Sequence, residues 1–330
     1  MKVAVGLSGG VDSSVAAMLL KERGFEVVGV TMALGRTGEE ESLSETRNAA
    51  ARIGVELEIF DFSSEWKSHV ADYISQTYLR GQTPNPCVRC NEEVKMGLLP
   101  RAAFSLGCEL FATGHYARLE EGRLLRAVDR TKDQSYFLYR VGRDVLSRTL
   151  FPLGGMTKDE VRGLAREFGL AVADKRDSQD FCGGDAAAMV QAEDRQGDVV
   201  DACGKVLGHH RGFWHYTIGK RKGLGIGGGI PYYVRGLDAQ RNRVVVGFRD
   251  ETVRRDFRLE SFVELSGGTD GDVAVKVRSA GEPKGPVSVE KDGEAGAVVS
   301  CPDGISGVAP GQSAVFYRGD EVVGGGIIAG

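Results

Sequence analysis

Near its start the chain carries a run of glycines and hydroxyl side chains that could hold phosphate, Gly6-Leu7-Ser8-Gly9-Gly10-Val11-Asp12-Ser13-Ser14. Glycines allow a tight curl of the backbone, and amide groups at a helix start point at bound oxygens. The apolar segment Val3–Leu7 predicts a strand before the run, and an apolar helical pattern follows it up to Gly24. The Gly-Lys-Ser/Thr ending of a Walker loop is absent, which favours binding of a leaving pyrophosphate, with the three serines as hydroxyl donors. The alternative is an ordinary glycine-rich turn.

Cysteines form a second group that could do chemistry. Cys87 and Cys90 make a Cys-x-x-Cys in the proline-containing stretch Thr83–Asn91, and Cys182 lies in the basic stretch Lys175–Gly184. Three interpretations stay open from the residues alone. The thiols could be a redox or sulfur-relay pair, a zinc site that lacks a fourth ligand, or an iron–sulfur site with three thiolates and one open iron position.

The local pattern predicts a reactive thiol at Cys90. Asn91 is a good helix cap, so we expect Cys90 at a helix start, where the helix dipole and Arg89 would lower the pKa of its thiol. Isolated cysteines are more often inert and buried, which is the interpretation we give Cys108, Cys203 and Cys301.

Composition limits the class of protein. The chain has 330 residues with 42% hydrophobic content, enough for two or three domains with their own cores. The net charge of −4 argues mildly against nucleic acid as a partner, so phosphate affinity must come from local patches. Six cysteines are too few for a secreted disulfide scaffold, no apolar run is long enough to cross a bilayer, and no signal peptide precedes the first strand. We therefore expect a cytoplasmic protein without a membrane partner.

The elements that must position these residues change character along the chain. Strands and helices alternate from Met1 to about Ala173, which predicts an α/β fold with a doubly wound parallel sheet. Beyond about residue 190, glycine rises and short alternating runs predict two smaller β-rich domains, the last a β-barrel. We expect domains at 1–190, 191–250 and 251–330.

Within the predicted sheet, ligands should collect at the carboxyl ends of the strands. The loops after Leu7, Met32 and Thr113 should therefore lie near one another, with Met32 as a wall for adenine and Gly114 allowing close approach of a nucleotide. Two capping boxes, Ser42/Glu45 and Thr157/Glu160, predict helix starts.

A family resemblance rests on many ordered stretches. Besides the glycine run and Thr83–Asn91, they are Ala112–Arg118, Lys132–Leu138, Phe151–Gly154, Lys175–Cys182, Tyr216–Gly225, Gln312–Tyr317 and Gly324–Ile327. Over nearly its full length the chain resembles the tRNA-specific 2-thiouridylases, members of the PP-loop ATP-pyrophosphatase superfamily.

The resemblance implies ATP with Mg²⁺ as the cofactor and adenylation of the 2-oxygen of the wobble uridine. The implied ATP-binding residues are Gly6, Leu7, Ser8, Gly9, Gly10, Val11, Asp12, Ser13, Met32 and Gly114. The implied catalytic residues are Asp12, Cys182, which would carry a persulfide, and Cys90, its partner nucleophile, and the product would be released as those two cysteines form a disulfide.

The resemblance also implies tRNA as the partner, together with a sulfur-donor protein carrying persulfide or with free sulfide. The implied tRNA contacts are His115, Lys132, Asp133, Gln134, Arg278 and Gln312. The residues themselves add the cationic loop Lys220, Arg221 and Lys222, which is suited to backbone phosphates, although a solvated charge run is the simpler interpretation.

One departure from the family keeps the sulfur chemistry open. Many members carry aspartate where this chain has Cys87, so Cys87, Cys90 and Cys182 also match tRNA thiolases that hold a [4Fe–4S] cluster on three thiolates. More distant alternatives are another PP-loop ATPase that adenylates a small-molecule acid, and an RNA-binding protein without catalysis.

Overall fold

The computed structural model describes residues 1–170, 186–227, 231–265 and 267–330. Its strands are β1 Lys2–Gly6, β2 Glu26–Ala33, β3 Leu57–Asp61, β4 Leu110–Thr113, β5 Ala117–Glu120, β6 Arg123–Arg126, β7 Thr149–Leu150, β8 Gly197–Val200, β9 Val206–His210, β10 Tyr233–Asp238, β11 Arg243–Gly247, β12 Val253–Glu264, β13 Val273–Lys276, β14 Lys284–Asp292, β15 Gly296–Ser306, β16 Ser313–Arg318 and β17 Glu321–Ile328. Its α-helices are α1 Val11–Glu22, α2 Glu39–Ile53, α3 Ser63–Trp66, α4 Asp72–Leu79, α5 Pro86–Cys90, α6 Leu99–Ser105, α7 Arg143–Leu146 and α8 Lys158–Glu167. Short π segments cover Lys67–Ala71 and Asn91–Leu98, and 3₁₀ turns cover Ser135–Phe137, Ala186–Met189, Phe213–His215 and Arg249–Thr252.

Two compact units divide the chain. The first contains the described residues within 1–70, 87–184 and 320–322, and the second those within 71–86, 185–319 and 323–330. No helix in the described ranges is both long and apolar enough to cross a membrane.

The first unit contains a parallel sheet with the strand order β3-β2-β1-β4-β7. After β1 the chain adds β2 and β3 on one side of it and then crosses to add β4 on the other side, so β1 and β4 form the topological switch point where ligands bind in such sheets. Val3, Ala4 and Val5 of β1 are fully buried, as expected for a central parallel strand covered on both faces. The predicted doubly wound α/β fold is confirmed.

Of the two helix starts predicted from capping boxes in this unit, one is correct. Thr157 caps α8 and Glu160 completes the predicted capping box. The Ser42/Glu45 prediction is wrong, because α2 begins at Glu39 and Ser42 lies inside it. The carboxylate of Glu39 accepts hydrogen bonds from the backbone amides of Leu34 and Gly35, at 2.6 and 2.9 Å, and so ties the helix start to the loop after β2.

The second unit contains two β structures. A four-stranded sheet has the order β10-β11-β8-β9, and six strands, β12-β15-β14-β13-β16-β17, close into a barrel through pairing of β12 with β17. Alternating residues such as Val299 and Phe316 fill the barrel core. The predicted C-terminal barrel is confirmed, and β12 and β15 are long strands that the short alternating runs of the sequence did not indicate.

Candidate active site

The glycine run forms a cradle between β1 and α1, at the switch point of the parallel sheet. Gly9 adopts a left-handed conformation with φ of 68°, and Gly10 stands at the N-terminus of α1. The Ser13 hydroxyl accepts a hydrogen bond from the Ser8 amide at 3.2 Å, and its oxygen lies 3.2 Å from the Gly10 carbonyl, to which it donates. The loop is therefore closed on itself, with the first amides of α1 at its mouth.

The serine hydroxyls play different parts. Ser14 is fully buried and donates to the Gly10 carbonyl at 2.9 Å, so it holds the loop rather than facing a ligand. Ser8 is exposed and lies within 3.3 Å of the Ser13 hydroxyl. Of the three serines predicted as phosphate donors, Ser8 has the exposure that the role requires.

The three strands that lead into the loops predicted to lie near one another are neighbours in the parallel sheet. Gly6, at the end of β1, pairs with Thr113 at the end of β4, and β2, which carries the half-buried Met32, is the other neighbour of β1. A β-carbon on Gly114 would lie 2.8 Å from the backbone of Asp12 and of Ser13. Gly114 thus allows close packing against the cradle's own helix, a contact that the sequence did not indicate.

Asp12 connects the cradle to two other elements of the first unit. Its carboxylate accepts hydrogen bonds from Lys158 Nζ at 2.7 Å and 2.9 Å, one to each oxygen, and from the Tyr116 hydroxyl at 2.9 Å. Lys158 is the first residue of α8, 146 positions away in sequence. Sequence reasoning missed Lys158 altogether, because no local pattern links the start of α8 to the cradle.

The strand-end loop after β4 orients a histidine beside the cradle. His115 Nδ1 lies 2.7 Å from the Thr113 hydroxyl. Burial, with a smaller contribution from repulsion by Lys95, lowers the pKa of His115 to about 3. The imidazole is consequently neutral at physiological pH and can accept or donate hydrogen bonds without carrying charge.

The predicted tRNA residues Lys132, Asp133 and Gln134 lie together next to this loop. Asp133 has a side chain only 1% exposed, and it pairs with Arg126 and accepts from the Ala127 amide at 3.0 Å. Gln134 Oε1 accepts from the Tyr116 amide at 2.9 Å. These contacts show Asp133 and Gln134 shaping the loop from within, while Lys132 lies at its surface with partial exposure.

The Cys-x-x-Cys helix begins earlier than the sequence predicted. It starts at Pro86, so Cys87 lies in its first turn, and Asn91 continues the helix as a π segment instead of capping it. Cys90 is therefore not at a helix start, and it is only 2% exposed, whereas Cys87 is half-buried. The expectation that the helix dipole activates Cys90 is wrong.

Arg89, the other predicted activator, is engaged elsewhere. Its guanidinium forms ion pairs with Glu92 at 3.2 Å and Glu93 at 2.8 Å, and these carboxylates offset its charge. Its Nε also donates to the carbonyl of His69 at 3.3 Å. The arginine therefore braces the helix.

The remaining cysteines differ in environment. Cys108 and Cys301 are buried as predicted, and burial raises the pKa of both thiols, that of Cys301 to about 11. Cys203 is exposed, so the expectation that it is buried is wrong. Cys182 lies outside the described residues; within them no two cysteines form a disulfide, and no group of three or more metal-ligating side chains occurs.

The second unit carries the cationic loop. Gly219 and Gly223, both left-handed, bracket Lys220, Arg221 and Lys222, all of which are exposed. Lys220 Nζ donates to the His215 carbonyl at 2.9 Å and lies 5.2 Å from the ring centre of Tyr216. Beside it opens a cavity of about 470 Å³. Its lining includes the polar and aromatic side chains His209, Arg211, Trp214, His215, Tyr216 and Lys220.

Gln312, another predicted tRNA residue, contacts the start of the cysteine-bearing stretch. Its amide nitrogen donates to the carbonyls of Thr83 at 3.3 Å and Pro84 at 2.6 Å. The Thr83 amide in turn donates to the Pro310 carbonyl at 2.7 Å. Within the second unit, the turn before β16 thus holds the proline loop in place.

Arg278, also a predicted tRNA residue, follows β13 and is exposed.

Comparisons with known proteins find relatives that match the whole length of the chain. Family models match the chain as a tRNA methyl transferase HUP domain over residues 1–183, a tRNA methyl transferase PRC-barrel domain over 189–248 and an aminomethyltransferase beta-barrel domain over 255–328. The tRNA-specific 2-thiouridylase MnmA of Acidithiobacillus ferrooxidans is 42% identical over 100% of this chain and 98% of its own length. The proteins of that name from Trichormus variabilis and Synechocystis sp. are each 44% identical over 99% of this chain, and 98% and 96% of theirs.

The sheet order, with the glycine cradle at its switch point and β-rich structures later in the chain, defines an α/β protein of the HUP-domain class that the family model matches over residues 1–183. The similarity extends over the whole chain, well beyond the cradle. The chain belongs to the tRNA-specific 2-thiouridylase family.

Proposed function

We propose that this protein is an ATP-dependent tRNA sulfurtransferase that replaces the 2-oxygen of the wobble uridine with sulfur. Family membership supports the substrate class, and the cradle at the switch point supports the use of ATP. The observation that carries the proposal is the closed Ser8–Ser13 loop, with the first amides of α1 at its mouth and an unburied serine beside them.

The chemistry follows from leaving-group ability. A pyrimidine carbonyl oxygen leaves poorly, so the proposed enzyme transfers AMP from ATP to that oxygen and releases pyrophosphate into the cradle. Attack of sulfur at the same carbon then expels AMP together with the oxygen. Met32, Gly114 and the residues from Gly6 to Ser13 are the proposed ATP site, and Asp12 provides carboxylate oxygens of the kind that Mg²⁺ prefers.

Sulfur delivery is proposed to use two thiols. Cys182 carries the persulfide, whose outer sulfur attacks the activated carbon; Cys90 then attacks the Cys182 sulfur, forming a disulfide and leaving the outer sulfur on the uridine. Because Cys90 is 2% exposed, this step requires the helix that starts at Pro86 to open. The adjoining π segment Asn91–Leu98 supports such opening, since π segments are often found at functional sites.

For tRNA, the proposed contacts are of two kinds. Lys220, Arg221, Lys222 and Arg278 are exposed cations suited to backbone phosphates. The other proposed contacts, His115, Lys132, Asp133, Gln134 and Gln312, occupy structured loops, and there Asp133 and Gln134 act by shaping the surface rather than by offering a charge. We also propose the division into domains at 1–190, 191–250 and 251–330, and action in the cytoplasm on tRNA, with a persulfide protein or free sulfide as donor.

The test is thiolation of tRNA transcripts with ATP and a sulfur source, followed by nucleoside mass spectrometry. We expect 2-thiouridine at the wobble position only when ATP is present, and loss of product in Cys90→Ser and Cys182→Ser. Cys203→Ser is the matched control because it changes an exposed thiol outside the proposed site. Methylated uridine as the product, or adenylation of small acids but never of tRNA, would contradict the proposal.

An iron–sulfur variant of the same reaction is favoured by one observation. Cys87 and Cys90 lie three positions apart on one helix, so their side chains share a face. Cys87 is half-buried and so keeps part of its surface exposed. These two residues fit two of the three thiolates that a [4Fe–4S] cluster would need; such a cluster would supply an iron site able to hold sulfide.

One substitution separates the two sulfur mechanisms. Cys87→Asp installs the carboxylate that many family members carry and removes a cluster ligand. The persulfide relay predicts retained thiolation and no iron in the anaerobically purified wild-type protein. The cluster mechanism predicts about four irons per chain in the wild type and loss of both iron and thiolation in the variant.

A further inference from the structure

The cradle lacks a cation of its own. Residues 6–14 contain no lysine or arginine, and Asp12 adds a negative charge where a triphosphate must bind. A carboxylate beside a polyanion repels it unless a cation offsets the charge. The fold brings such a cation from outside the glycine run.

That cation is Lys158. Its Nζ donates to both oxygens of Asp12, at 2.7 and 2.9 Å, which places the ammonium symmetrically across the carboxylate. Its backbone amide donates to the carboxylate of Asp129 at 3.0 Å, a contact in which the Thr157 side chain takes no part. Both ends of the lysine are thereby held, so the position of Nζ is set by the fold and not by a flexible surface chain.

The pair is buried on one side only. Lys158 is 7% exposed, whereas the Asp12 side chain keeps 32% of its surface at the cradle. Two donors, Tyr116 Oη and Lys158 Nζ, occupy Oδ1, but the described contacts place only Lys158 on Oδ2. A carboxylate oxygen has two acceptor sites, so Oδ2 can take a further partner.

We infer that Lys158 is a positioning residue for the adenylation step, which rests on the function proposed above. It fixes the Asp12 carboxylate, which keeps part of its surface exposed, and offsets its charge, so that ATP with its Mg²⁺ can bind beside it. Tyr116, from the loop after β4, fixes the opposite oxygen. Three separate elements, α1, the β4–β5 loop and α8, therefore converge on one carboxylate.

A purely structural ion pair that joins α8 to α1 is the competing explanation. It predicts that removing the lysine lowers the stability of the protein, and that activity falls only as much as the amount of folded protein does. Thr157→Ala tests this, because it weakens the same helix through loss of its cap yet removes neither the contact of Nζ with Asp12 nor that of the Lys158 amide with Asp129.

The experiment measures tRNA-dependent ATP–pyrophosphate exchange and, separately, equilibrium binding of ATP with Mg²⁺. We expect Lys158→Met to lower kcat about 100-fold, Lys158→Arg to recover activity to within about 10-fold of wild type, and Thr157→Ala to change kcat less than about 2-fold. Lys158→Gln, which keeps a hydrogen-bond donor but no charge, replaces the methionine variant if that one does not fold.

A double-mutant cycle decides whether Lys158 acts through Asp12. We expect Asp12→Asn combined with Lys158→Met to be no slower than the slower single variant, because the second change removes an interaction already lost. Additive losses, or equal effects of Lys158→Met and Thr157→Ala, would overturn the inference. If the wild-type protein binds ATP but thiolates no tRNA, the proposed function fails; weaker ATP binding by Lys158→Met, with a lysine effect that vanishes in Asp12→Asn, would then still support the role of Lys158.

Discussion

Gly114→Ala tests the close packing between the β4–β5 loop and the cradle helix. The added β-carbon would lie 2.8 Å from the Asp12 carbonyl carbon and 2.8 Å from the Ser13 amide nitrogen. Both atoms belong to the backbone of the first turn of α1, so no side-chain rotation can relieve the contact. Either α1 or the strand-end loop must move.

The size of the shift follows from ordinary contact distances. Carbon atoms in contact stay about 3.5–4.0 Å apart, so the two segments must separate by about 0.7 Å or more. Overpacking of this kind costs about 1–3 kcal/mol of stability. Since the displaced turn carries the amides that we propose face the phosphates of ATP, we expect kcat/KM for ATP to fall about 10- to 100-fold.

The assay is ATP–pyrophosphate exchange, together with urea unfolding of the same preparations. Gly155→Ala is the matched control, because a β-carbon there meets nothing within 4 Å and the residue is not left-handed. We expect the control to match the wild type in both measurements. A Gly114→Ala protein with wild-type ATP kinetics would refute the argument that this packing sets the cradle.

Three further predictions concern other parts of the chain. Burial lowers the pKa of His115 to about 3 in the folded protein, against 6.5 in the unfolded chain, so the free energy of unfolding should fall as pH drops from about 6.5 towards 3. Urea titrations at several pH values should show a smaller fall for His115→Gln, which cannot take up this proton. Gln312→Leu leaves the Thr83 and Pro84 carbonyls without its amide and should cost about 1–3 kcal/mol, seen as a lower urea midpoint; an unchanged midpoint would contradict the role we give this contact. Iodoacetamide under native conditions should modify Cys87 before Cys90, as followed by peptide mass spectrometry, because Cys87 is half-buried whereas Cys90 is only 2% exposed; equal rates would show that the helix opens readily.

The parts of the fold that the sequence predicts are those with a local physical cause. The alternation of apolar strand segments with helical patterns that end at glycines predicts the parallel sheet. The Thr157/Glu160 capping box marks the start of α8, because both of its hydrogen bonds form within one helical turn. The same reasoning fails for Ser42/Glu45. There Glu39 bonds the amides of the preceding loop, and this contact starts α2 one turn earlier.

The candidate site is predictable only as far as it is local. The cradle, Met32 and Gly114 follow from strand ends in a parallel sheet, since these must share one edge. Lys158 does not follow, because its partner Asp12 lies in another helix and an exposed lysine at a helix start would look the same in sequence. Buried ion pairs between distant elements are set by tertiary packing, so they appear only in the structure.

The cysteine helix shows why the starting residue of an element matters for chemistry. If the helix began after Asn91, Cys90 would receive the favourable end of the dipole; because it begins at Pro86, Cys87 occupies the first turn and Cys90 is covered. Cys87, the first cysteine of the pair, is therefore the more accessible one. The covered thiol needs the helix to open before it can react, whereas Cys87 needs no such motion. Any sulfur mechanism for this chain must account for that order of access.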